Sequence, residues 1–312
     1  MKNSLTVALI AIVLLASVAS IIACAHQGQT NLQSDKPARA LASQHLPLIG
    51  EMKILSQGSQ SAIQEPFVAV CRDDETYQAL MKVDKALPKL DKEFFQSHLV
   101  VAAYLGMRST AGYSIEITRK GDANINSPDP DRTRFEVNEK APAKDALVAQ
   151  VITSPFMIVS LEVNGASPLI LSLGAAWRQK QQLYRIKSGA FSMGGGLSGL
   201  DEQFEPHGEW LTLRARGLVS FYISMRGTGG SKDRFLSDSA TGILNKDEIT
   251  INKLTADFFV DGPNSGFKAT GTLKEREGKL SLRFSSLRSM VSDGYSGGGM
   301  LEAELVQSTA SQ

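Results

Sequence analysis

Apolar and polar residues alternate over most of this chain, so strands dominate its predicted elements. Phe67-Val68-Ala69-Val70-Cys71 is an unbroken apolar run of strand length. The apolar run from Val100 and the alternating Tyr113-Ser114-Ile115-Glu116-Ile117, with Gly106 and Gly112 between them, predict a β-hairpin over 100–119. Arg134-Phe135-Glu136-Val137 alternates as another strand. Residues 148–163 supply further strand material, broken once at Thr153-Ser154-Pro155, because proline is confined to strand edges, bends and bulges. One short helix fits the first half: Asp73 or Asp74 caps it, Tyr77, Leu80 and Met81 form its buried face, and Pro88 closes the unit. At least one of Phe94 and Phe95 is expected to anchor the connection that follows. Beyond about residue 186 the composition shifts to Gly, Ser and alternating strands over 210–214, 218–225, 267–273, 279–284 and 300–306. A capping box from Asn245 to Glu248 predicts a helix with Ile251, Leu254 and Phe258 on one face, whereas Ile249-Thr250-Ile251 supports a strand.

The predicted fold class is therefore mainly β (α+β): a β-rich domain with one short helix, then a second antiparallel β-rich domain with a helix at Asn245. The corresponding boundaries are a leader at 1–23, a flexible tether at 24–64, a first domain at 65–175 and a linker at 176–186. A second domain at 187–308 and a tail at 309–312 complete the chain. Within the tether, 46–55 is apolar enough to form a short strand or helix packed on the first domain.

The leader changes the picture from globular to exported. Lys2 precedes an apolar run over 5–22 interrupted only by Thr6, Ser17 and Ser20, the pattern of a secretory signal. The run ends in Ile21-Ile22-Ala23-Cys24, which resembles the lipobox of bacterial lipoproteins. That resemblance implies cleavage before Cys24, a diacyl lipid on that cysteine and a stable membrane anchor. An uncleaved anchor helix is the competing reading, since about twenty apolar residues span a bilayer. By analogy with Gram-negative sorting, Ala25 after the cysteine favours the outer membrane of a bacterial cell envelope. Lipidation of Cys24 leaves Cys71 without an internal disulfide partner, so Cys71 reads as a small buried hydrophobe.

Charge is balanced. Lys plus Arg number 33 against 32 for Asp plus Glu in 312 residues, which argues against a nucleic-acid partner. His26, His45, His98 and His207 lack metal-ligand spacing, and no His-Glu-x-x-His, Cys-x-x-Cys or P-loop occurs. The acidic stretch Asp201, Glu202, Glu205, His207 and Glu209 reads as a solvated loop in preference to a cation site. No catalytic residue, metal or cofactor is expected.

The hydrophobic entry to Gly106, the Ser109-Thr110-Ala111-Gly112-Tyr113 turn and the strand to Ile117, followed in order by Pro142, Val148, Gln150, Thr153 and Pro155, resemble the C-terminal domain of PrcB-like subunits of bacterial protease complexes. The resemblance covers about 66–161. It implies a non-catalytic, exported β-rich module associated with the assembly or stability of an extracellular protease. Ala111 stands where members of that family more often carry glycine. In the second half, the Gly194 to Leu200 run, Thr241-Gly242-Ile243-Leu244, the Asn245 helix and Phe258-Phe259 resemble small exported domains of the emfourin type, which are metalloprotease inhibitors.

These readings converge on a membrane-anchored, non-catalytic lipoprotein that binds another protein, as an accessory or stabilising subunit of an extracytoplasmic protease. A structural cell-envelope lipoprotein without a protease partner, or a protease inhibitor, are the alternatives. The expected partner-binding residues are Met107, Arg108, Ser109, Thr110, Gly112 and Tyr113, because loops carried by rigid strands are where binding is usually built.

Overall fold

Fifteen strands organise the described part of the chain. The computed structural model describes residues 49–120, 133–163, 169–179, 182–194, 209–227, 234–255, 266–289 and 296–305. The leader, Cys24, His26, His45, the polar stretch at 121–132 and Asp201, Glu202, Glu205 and His207 lie outside these residues.

The first sheet has the order β1-β6-β3-β2, with β1 at Ile49–Gly58, β2 at Phe67–Cys71, β3 at His98–Tyr104 and β6 at Phe156–Val163. Within the stretch read as tether, the strand option is the one realised, since β1 pairs antiparallel with β6. Helix α1 spans Asp74–Val83, and Asp73 is its cap, accepting from the Thr76 amide at 2.8 Å. Tyr77 and Leu80 are fully buried, and the Tyr77 hydroxyl donates to the Pro88 carbonyl at 2.7 Å. A 3₁₀ turn at Glu93–Gln96 buries Phe95 against Tyr77, with ring centroids 5.4 Å apart.

The expected hairpin over 100–119 does not form. β3 pairs with β2 and β6, while β4 (Ser114–Lys120) pairs with β5 (Thr133–Lys140) in a second sheet of order β4-β5-β7. β3 is buried along nearly its whole length and so takes a neighbour on each side. The chain leaving it crosses to the other sheet. β7 (Leu169–Leu173) joins β5 in parallel. Strand β6 begins only after Pro155; the 148–152 part of the predicted strand is an irregular connection. Within the expected linker, α2 (Ala175–Arg178) buries Trp177 completely, and its indole N–H donates to the Tyr104 carbonyl at 2.9 Å.

Strands β8 (Gln182–Gly194), β9 (Glu209–Ala215), β10 (Leu218–Gly227), β11 (Arg234–Asn245), β12 (Glu248–Thr255), β13 (Gly266–Arg276), β14 (Lys279–Ser289) and β15 (Ser296–Leu305) form an antiparallel meander. It closes into a barrel through the pairing of β15 with β8. The helix predicted at Asn245 is instead the β11–β12 hairpin: Asn245 pairs with Glu248, and Lys246 takes φ of 57° in the turn. Period two prevails over period 3.6 here because Ile249 and Ile251 pack where Gly242 leaves room. A Cβ on Gly242 would lie 2.9 Å from Ile249 Cγ1. The emfourin resemblance loses its helix with this correction.

Barrel and sheets share a boundary built from hydroxyls. Ser220 Oγ donates to the Val68 carbonyl and lies 2.7 Å from Thr241 Oγ1, which accepts from the Val70 amide at 2.8 Å. The Leu171 amide donates to Ser239 Oγ at 3.3 Å, and Asn252 Nδ2 to Asp73 Oδ1 at 3.2 Å. Ala215 and Leu218 of the barrel belong to the same apolar cluster as the strands of the sheets.

Candidate recognition surface

Two glycines shape the turn between β3 and β4. Gly106 has φ of 75°, and a Cβ there would meet the Gln64 carbonyl oxygen at 2.7 Å; Gly112 has φ of 89° and faces Pro142 and Val148. Ala111 has no positive φ, so of the Ala111-Gly112 pair only Gly112 takes the left-handed conformation and a glycine at 111 is not needed here.

The turn is zipped onto the segment preceding β6. Leu105 donates to the Pro155 carbonyl, Arg108 and Thr153 exchange amide–carbonyl bonds at 2.8 and 2.9 Å, and Ala111 donates to the Ala149 carbonyl at 3.0 Å. Thr153 Oγ1 adds a bond to the Thr110 carbonyl at 3.1 Å. The structure therefore gathers Thr110, Gly112, Pro142, Val148, Thr153 and Pro155, residues spread over 46 positions, around one turn.

Arg108 is held on three sides. Its Nε donates to Glu139 Oε1 at 2.9 Å, its Nη1 to the Met107 carbonyl at 2.9 Å, and its guanidinium carbon stands 5.7 Å from the Tyr113 ring centre. This pair shapes the surface; it is not a free cation awaiting a partner. Met107 and Ser109, by contrast, point to solvent. Exposed apolar side chains continue the surface on the adjoining segment: Leu147 is fully exposed, Ile152 70 % and Val151 50 %. The alternation places Val151 and Ile152 in a strand over 148–163 and gives Leu147 no role. The signal available was an apolar run just before the Thr-x-Pro break, with no alternation to bury it.

Other candidate chemistry is placed differently. Cys71 is buried and unpaired, and burial first, then the charge of Asp73, pushes its thiol well above its ordinary range, the reverse of an activated nucleophile. His98 stacks on Phe94 and meets Ser97 Oγ through Nδ1. Ser296 lies in Gly294-Tyr295-Ser296-Gly297-Gly298, a G-x-S-x-G pattern. It opens β15 opposite Gly194 and Arg288, away from the strand-to-helix turn that the motif requires. Among the described residues, no group of three or more His, Cys, Asp or Glu side chains is placed to hold a metal.

The segment that contains the turn matches a family model. Residues 99–162 match the PrcB C-terminal family model. The PrcB C-terminal match runs from β3 to β6 and so takes in the turn, β4, β5 and the exposed 147–152 segment. It leaves β1, β2, α1, β7 and the barrel outside, so the resemblance seen over 66–98 is not part of it. None of the curated proteins matches the chain.

Proposed function

We propose that this chain is a lipid-anchored accessory subunit that binds an extracytoplasmic protease. Cys24 carries the lipid, the membrane is that of a bacterial cell envelope, and the part that meets the protease is the surface formed by Met107, Ser109, Leu147, Val151 and Ile152. Arg108, Thr110, Gly112 and Tyr113 shape that surface. The observation that carries the reading is the PrcB C-terminal match over 99–162, which encloses the turn and its apolar border. Exposed Met and aliphatic side chains on a backbone pinned by reciprocal hydrogen bonds suit a protein partner, because little order is left to impose on binding. The remaining work of the chain is to bind, not to transform a substrate.

Two measurements test this. Affinity capture from detergent-solubilised membranes with wild type is expected to recover a protease, and Met107→Ser/Ile152→Ser is expected to lose at least tenfold of it. Equal recovery with both removes the surface from the mechanism; recovery of no protease by wild type leaves an envelope lipoprotein of another role. Metabolic labelling with a fatty-acid analogue is expected to vanish in Cys24→Ala, and persistent label would overturn the anchor.

A further inference from the structure

Strand edges are templates for further strands unless something covers them. The two sheets have four edges: β1 and β2 in one, β4 and β7 in the other. Barrel hydroxyls take up two. Thr241 and Ser220 bond the Val70 amide and Val68 carbonyl of β2, and Ser239 bonds the Leu171 amide of β7. Edges β1 and β4 receive no such cover among the described residues, and they border a groove of about 640 Å³ lined by Met52, Ile54, Ile115, Ile117, Phe156 and Met157. At one end of β4, Arg119 Nη1 donates to the Gly50 carbonyl of β1 at 3.2 Å, and at the other end Tyr113 lines the groove.

The two free edges are not equivalent. β1 shifts register against β6 twice, between Ile49 and Met52 and between Ile54 and Ser56, and such irregularities blunt an edge. β4 pairs with β5 in unbroken register over all seven residues, so its other side offers a regular ladder. The carboxylate on this wall is already engaged, Glu116 meeting Lys140 at 2.6 Å. Beyond that ion pair the groove offers main-chain groups, apolar surface and the uncharged polar side chains of Gln57, Ser59, Ser114 and Thr118. We propose that β4 receives an extended segment of a partner protein as an added strand, its alternate apolar side chains facing Met52, Ile54 and Phe156. This rests on the reading that the chain binds a protein, and it adds a docking mode outside the Met107 surface.

The test uses the full chain in detergent and a panel of seven-residue peptides alternating Thr with Ile, Val, Leu or Phe. Each peptide is also made in two forms, N-methylated on the amides of one strand edge or of the other. Hydrogen exchange across 114–120 is expected to slow at least tenfold with at least one unmodified peptide. One N-methylated form is expected to lose binding tenfold and the other to keep it, because a single peptide edge pairs with β4. Ile54→Lys, at a half-exposed position on the rim, is expected to weaken binding tenfold. No slowing with any peptide at millimolar concentration, or equal binding by all three forms, would overturn the proposal. Met107→Ser/Ile152→Ser is expected to leave peptide binding intact, so failure of the Met107 surface and failure of the groove are read separately.

Discussion

The amide of Val70 donates to Thr241 Oγ1 at 2.8 Å, joining an edge strand to a barrel wall 171 positions away in the chain. An apolar strand such as β2 would ordinarily sit inside a sheet. Here a hydroxyl does part of a neighbouring strand's work, and Ser220 does the same for the Val68 carbonyl. Thr241→Val keeps the shape and removes the acceptor, leaving a buried N–H unpaired. The expected cost is about 1–3 kcal/mol, read as a lower urea midpoint at unchanged slope. Thr241→Ser should retain most of the stability.

The glycines of the turn should rank in order of what surrounds them. Positive φ alone costs a side chain about 1–2 kcal/mol. Gly106→Ala adds a clash with the Gln64 backbone oxygen at 2.7 Å, whereas Gly112→Ala meets only the side chains of Pro142 and Val148 at 3.0 and 3.1 Å. Chemical denaturation should therefore find Gly106→Ala the more destabilising. Ala111→Gly should cost no more than about 1 kcal/mol, through the freedom it gives the unfolded chain.

Cys71 provides a pH signature. Its folded pKa lies above the unfolded value, so its contribution to stability is complete below about pH 8.5 and fades as pH rises from there toward the folded value. Burial raises Tyr77 and Tyr104 in the same direction, extending the loss above about pH 10. Stability measured against pH should fall from about 8.5 upward, and Cys71→Ala should flatten the first part of that fall. In a Cys24→Ser background, the remaining thiol should react with a thiol reagent only on unfolding.

Division of the chain at 175 should fail. A fragment of residues 45–175 lacks Trp177 and its bond to Tyr104, and it uncovers the β2 and β7 edges that barrel hydroxyls bond. Self-association is expected by light scattering, with Ser220 and Thr241 no longer present to block pairing. A monomeric fragment as stable as the full chain would show that the two halves fold independently.

Much of this was legible because it is local. Period-two alternation specified strands, the Asp73-Asp74 pair specified a helix cap without choosing between them, and Gly106 and Gly112 specified a sharp turn. That one of Phe94 and Phe95 anchors the connection followed from two adjacent aromatics pointing apart; that it is Phe95 came from the fold. The turn between β3 and β4 was legible as a candidate surface; its apolar border at Leu147, Val151 and Ile152 was not, because exposure depends on what fails to cover a side chain.

That the chain is built of strands, where most of them run and which residues bend it are properties of neighbours within a few positions, and local pattern carries them. Long-range packing is what pairs β3 with β6 and not β4, makes Asn245 the start of a hairpin turn and locks Trp177 onto Tyr104. Strand partners are chosen by backbone groups and packing surfaces far apart in the chain, and alternation carries no record of which distant strand will meet them.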